Sequence, residues 1–157
     1  MSAQGGIDNN TGKPLANWGQ RVIATLIDFL VMVVPQVLLR TILGDAIGSS
    51  IYLVIFGIYL VTQWNLCAGK SVGNRVAHTQ VLDANTGGAI TNKQAFNRYL
   101  YLELYAIIDL YGAVENVGVV VLLAGVYGAV NVLLPLFDLR RQTLHDKFAR
   151  TIVVVTN

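Results

Sequence analysis

The chain has 157 residues, of which 54% are hydrophobic and 13% charged, and its mean hydropathy is +0.56. A soluble domain carries about a quarter charged residues, so water is not the solvent for much of this surface. Cys67 is the single cysteine, which excludes an intramolecular disulfide and a cysteine-based metal cluster.

Met1–Asn17 is polar and rich in Gly and Asn. It lacks the basic-then-apolar order of a secretory signal, so no cleavable signal is expected. Residues 1–17 read as a flexible cytoplasmic tail, with Met1–Pro14 its freest part, followed by a single membrane domain over residues 18–157. A spanning helix needs roughly 20 mainly apolar residues. Val22–Leu43 meets this despite Asp28, Gln36 and Arg40, and Ile47–Leu66 meets it easily, ending in the interface-type cluster Gln63, Trp64, Asn65. Val117–Phe137 is the cleanest candidate. Tyr99–Val114 is short for a span and carries Glu103 and Asp109.

Charge placement decides that case. With four spans in two hairpins, Lys13, Arg21, Lys70, Arg75, Lys93, Arg98, Arg140, Arg141, Lys147 and Arg150 share one side. Arg40 alone lies near the other, so ten of the eleven basic residues fall together. That is the distribution of the positive-inside rule, and three spans would violate it. The expected fold is therefore all-α and membrane-embedded, with both termini cytoplasmic and a small cytoplasmic β element. For the latter, Arg75–Leu82 alternates as a strand and leads into the turn-rich Asp83–Gly88. Thr91 or Asn92 caps a helix running through Arg98. The closing Thr151–Thr156 is strand-forming and too short to cross a bilayer, so it is expected to pair with Val76–Leu82.

The ionisable residues inside spans are the candidates for function. Asp28 lies roughly 9 Å into its helix at 1.5 Å per residue, and a carboxylate there needs a partner or hydration. Arg21, two turns earlier, shares its face. Asp28 is read either as a structural clamp, with Arg98 as a further partner, or as a proton- or cation-binding carboxylate. Pro35 predicts a kink, because it removes the hydrogen bond to the Val31 carbonyl. Glu103 and Asp109 are six residues apart and so face different directions; with Asp28 they are candidates for an ion or proton site. Ala124/Gly128 and Gly125/Ala129 have the spacing that lets a neighbouring helix approach closely, and all four are expected to serve helix packing. Tyr59, Tyr99, Tyr101, Tyr105 and Tyr111 read as interface or packing aromatics.

Other patterns exclude chemistry. Gly69-Lys70-Ser71 resembles the end of a phosphate-binding loop, but Trp64 stands where that loop needs its first glycine, so no nucleotide is expected. His78 and the His145-Asp146 pair are too sparse to predict a metal site. No nucleophile-base constellation has supporting spacing. The expectation is a protein without catalytic residues, cofactor or nucleic-acid partner.

Three blocks carry a resemblance: Trp18–Asp28 (WGQRVIATLID), Gly69–Val76 (GKSVGNRV) and Asp138–Lys147 (DLRRQTLHDK), closed by Thr151–Val154. In that order they resemble the RDD family of bacterial membrane proteins, named for one arginine and two aspartates. The resemblance implies that Arg21 and Asp28 are the first two signature residues. It makes Asp138 the third, with Asp146 as competitor. It implies a bacterial cytoplasmic (inner) membrane protein, and proposals for the family include ion transport and membership of larger membrane assemblies. Two functions follow as expectations. One is an accessory or assembly subunit, whose partners are membrane lipids and other integral membrane subunits. The other is an oligomeric cation/proton exchanger using intramembrane carboxylates. The polar network expected to matter is Arg21, Asp28, Arg98 and Asp138.

Overall fold

The computed structural model describes residues 6–101 and 118–156. Helix α1, Trp18–Leu43, starts at a reciprocal cap: the Asn17 side chain accepts from Gln20 N at 2.8 Å and the Gln20 side chain accepts from Asn17 N at 3.0 Å. This satisfies two donors that a helix start leaves open. The helix continues through Pro35 and ends at Gly44, whose φ of 81° suits glycine alone. Helix α2, Asp45–Leu66, then returns alongside α1. A Cβ on Gly48 would lie 2.6 Å from the Arg40 Cα, so the missing side chain is what lets the two backbones touch.

The chain next forms a short helix α3, Val72–Val76, and strand β1, Thr79–Asp83. Helix α4 covers residues 92–101. Helix α5, Gly118–Leu133, continues into a 3-10 turn at Leu134–Leu136. Helix α6, Leu144–Ala149, and strand β2, Thr151–Val155, complete the chain. The strands pair antiparallel, with Thr79 opposite Val155, Val81 opposite Val153 and Asp83 opposite Thr151. The expected pairing of the chain end is therefore found, but Arg75 and Val76 belong to a helix. Ser71 explains this: its hydroxyl caps Asn74 N at 3.1 Å and starts α3, and β1 begins only after His78 turns the chain with φ 52°.

Trp18–Leu43, Asp45–Leu66 and Gly118–Leu136 are long and apolar enough to cross a membrane, and 17%, 22% and 17% of their apolar windows are buried. Leu30, Val34, Ile42, Val54, Ile58 and Leu122 stand exposed along them. Such surfaces are stable in lipid. Among the described residues there are thus three candidate spans where four were expected. The fourth, Tyr99–Val114, lies outside the described residues apart from its first three positions, and so do Glu103, Tyr105, Asp109 and Tyr111.

The inner end of α2 closes on the sheet through Leu60, Trp64, Val81, Ile90, Ala95, Val153 and Ala16. The other face of the sheet buries Leu15, Leu82, Ala84, Ile152 and Val154. Leu15 and Ala16 bring a correction, because the segment expected to be a free tail is docked from Ile7 onward. Ala16 N donates to the Val153 carbonyl and Val155 N to the Pro14 carbonyl, both at 2.9 Å, so residues 14–16 extend the sheet edge. Asp8 is buried and grips Arg140 in a fork of 2.7 and 3.2 Å. An unpaired strand edge and an apolar face are both covered in this way.

Candidate functional site

Two buried polar clusters sit where the helices meet the sheet. The first centres on Asp28, one turn below the point where α3 crosses α1. Its carboxylate accepts from Ser71 Oγ at 2.5 Å, Gly73 N at 2.9 Å and Tyr59 OH at 3.0 Å. The Tyr59 oxygen in turn accepts from Val72 N at 3.3 Å. One carboxylate thereby binds α1 to α2 and to α3. The approach is possible because residue 73 is glycine: a Cβ there would fall 1.9 Å from the Ala24 carbonyl oxygen. The GKS segment set aside as a nucleotide loop supplies this clamp through Ser71.

The second cluster centres on Asp146, which has no exposed surface. Its Oδ2 accepts from Arg21 Nη1 at 2.6 Å and from Thr143 N at 3.0 Å, and its Oδ1 accepts from Arg98 Nη1. The Thr143 bond is half of the capping box that starts α6. Arg98 Nη1 also donates to Thr151 Oγ1 at 2.8 Å, and its guanidinium lies 5.1 Å above the Trp64 ring. His145 packs beside it, with Nδ1 3.1 Å from Asn131 Nδ2. Because Asn131 Oδ1 accepts the Leu144 N–H at 3.0 Å, the Asn131 nitrogen must face the ring and donate. His145 Nδ1 is therefore an acceptor and the ring is neutral. Burial, with Arg98 and Arg21 alongside, pushes its pKa well below the ordinary histidine value.

The sequence-derived network thus divides. Arg21 does not reach Asp28: two helical turns separate them by roughly 10 Å, and the arginine extends to Asp146 instead. Arg98 also joins Asp146. Asp138 holds its own loop, accepting from Gln142 N at 2.9 Å, from Arg140 N at 3.2 Å and from Lys147 Nζ. Burial opposes ionisation of Asp138, but these bonds outweigh it and keep the carboxyl below the usual range. Between the two competing aspartates, the geometry joins Asp146 to Arg21.

The two pairs of small residues on α5 lie on different faces. Ala124 faces inward and is 1% exposed, and Gly128, one turn further on, is half-buried on the same face. Gly125 and Ala129 face out. The reason is the helical period: positions four apart share a face, whereas adjacent positions point about 100° apart. Ala124 and Gly128 thus turn toward the protein's own interior, and only Gly125 and Ala129 remain open to a neighbour. Sequence reasoning missed His145 and Asn131 as partners; the lone Asn inside the apolar run Val117–Phe137 was the available signal. Among the described residues no group of three or more His, Cys, Asp or Glu side chains is placed to hold a metal ion.

The model of the RDD family matches residues 15–150, which include both clusters. The chain belongs to the RDD family. RDD proteins are membrane proteins, in keeping with the lipid-facing helices. No curated protein and no solved structure gives a match. In this RDD chain the three conspicuous blocks each feed the buried clusters: Arg21 and Asp28 from the first, Ser71 and Gly73 from the second, and His145 and Asp146 from the third. Through these side chains α1 is hydrogen-bonded to α3 and to α6.

Proposed function

We propose that this RDD protein is a non-catalytic accessory or assembly subunit of a larger bacterial membrane complex. The observation that carries this reading is the commitment of Asp28 to three donors from α2 and α3, which makes the carboxylate a structural clamp. The outward-facing Gly125 and Ala129 on α5 offer a smooth strip to a helix of another subunit. Four spans are part of the proposal. Helix α2 ends on the sheet side, and α5 also runs toward it, because Asn131 bonds α6. An odd number of crossings must therefore lie between them, which calls for one more before Gly118. Ten basic residues on the sheet side support a cytoplasmic location for that side and for both termini, in the inner membrane. Gentle solubilisation from native membrane, followed by sizing and mass spectrometry, is expected to retain a companion membrane chain. A lone monomer or homo-oligomer overturns this reading.

One observation favours a second reading, a cation/proton exchanger: Asp28 is buried with neutral donors and no basic partner among the described residues. It predicts cation-driven pH changes in proteoliposomes that vanish in Asp28→Asn. Unaltered exchange in a folded Asp28→Asn variant removes the carboxylate mechanism.

A further inference from the structure

The Asp146 cluster contains two guanidiniums and one carboxylate, with His145 neutral. An unbalanced buried cation is costly, so a second counter-charge is required. The five other carboxylates among the described residues are engaged elsewhere. Asp8 holds Arg140 and Asp45 pairs with Arg40, while Asp138 pairs with Lys147 and acts on Arg21 only through space, with no hydrogen bond to it. Asp28 serves its clamp, and Asp83 accepts from its own turn and from Gln94.

The unmet donors are specific. Arg21 spends Nη1 on Asp146, while its Nε and Nη2 are buried with no acceptor among the described residues. Those two N–H groups form one edge of the guanidinium, the fork that grips two oxygens of a carboxylate or phosphate. Arg98 Nε is likewise buried without an acceptor there. Arg21 lies in the first turns of a lipid-facing helix, three residues after Trp18, which is 37% exposed. Tryptophan at the end of a membrane helix marks the headgroup level, where the abundant anion is phosphate. The Arg21 side chain as a whole is 10% exposed, but Nε and Nη2 are themselves covered, so a ligand reaches this edge when the covering side chains move aside.

We propose that the free edge of Arg21, assisted by the charge of Arg98, binds a phosphate oxyanion at the sheet-side membrane interface. The same chemistry is offered by an anionic lipid headgroup and by free phosphate, and the test separates them. The full-length protein in neutral detergent is titrated with phosphatidylglycerol, with diacylglycerol as the phosphate-free lipid, and with inorganic phosphate. Thermal midpoint is one readout. Emission of Trp64 is the other, followed in a Trp18→Phe background, since Arg98 lies against that ring.

Phosphatidylglycerol is expected to raise the midpoint by several degrees and change Trp64 emission, with diacylglycerol inert. A response to inorganic phosphate alone assigns the site to the soluble anion. Arg21→Lys retains a cation for Asp146 but removes the fork, and is expected to weaken the apparent affinity about tenfold or more. Silence toward both phosphates, an equal response to diacylglycerol, or an unchanged response in Arg21→Lys overturns the proposal. If Arg21→Lys does not fold, the contrast between phosphatidylglycerol and diacylglycerol in the unsubstituted chain decides.

Discussion

Asp146 is the residue whose loss should be felt most. It is the one carboxylate shared by two buried guanidiniums and also caps α6, so Asp146→Asn strands charge that water cannot reach. Removing one partner of such a buried pair costs about 3–5 kcal/mol. Thermal unfolding in detergent should register this as a large fall in midpoint, whereas Asp45→Asn at the exposed Arg40 pair should change little. His145 gives a pH signature. Its folded pKa lies well below the ordinary value, so below about pH 6.5 the unfolded chain takes up a proton that the folded chain refuses. Stability is therefore complete above that pH and falls as the medium is acidified, by up to about 1.4 kcal/mol per pH unit. Midpoints measured between pH 7.5 and 5 should show this slope, and His145→Gln should flatten it. At still lower pH the Asp8 carboxyl adds a second loss. Burial opposes its ionisation, but bonds from Arg140 and Thr11 outweigh this and hold it below the usual range.

At the level of elements, α3 is held against α1 by a backbone contact and a carboxylate together. Gly73→Ala would drive a Cβ into the Ala24 carbonyl, a backbone atom that cannot swing aside, and should cost about 1–3 kcal/mol or more. The displaced α3 would also lose its grip on Asp28. Gly73→Ala and Asp28→Asn should consequently be non-additive, the double variant being scarcely less stable than the worse single one, as a double-mutant cycle would measure. The strap over residues 7–16 makes a different prediction. Arg140→Gln cuts its link to Asp8 and to the Ala84 carbonyl. Arg140 is partly exposed, so the cost is about 1 kcal/mol. It should appear as faster proteolysis near residues 6–14 with the main thermal transition little moved.

Across the whole molecule, the helices that meet lipid are joined to the aqueous sheet by polar contacts made at one end of the bundle. Single cysteines introduced by Lys13→Cys, Ala46→Cys and Lys147→Cys into a Cys67→Ser background should be labelled from one side for the first and third and from the other for the second. Labelling of positions 13 and 147 from opposite sides would remove the four-span arrangement. The membrane class, the bounds of the apolar helices, the cap at Thr91 and the pairing of the chain end with residues 79–82 were legible in the chain. Hydropathy, turn residues and β-branching are local properties that act within a few positions. The partners of the charged residues were not legible at that range. Residues 21 and 28 look paired on a helical face, yet Asp28 is claimed by Ser71 and Gly73, 43 and 45 positions away, and Arg21 by Asp146, 125 positions away. Likewise Met1–Pro14 reads as a polar tail until Asp8 finds Arg140 and Leu15 finds the sheet. What the sequence determined by itself is which solvent each segment demands, because transfer free energy depends on composition. Which donor meets which buried acceptor was decided by the tertiary structure alone, since hydrogen bonds and ion pairs act over a few ångströms and only the fold brings distant residues within that reach.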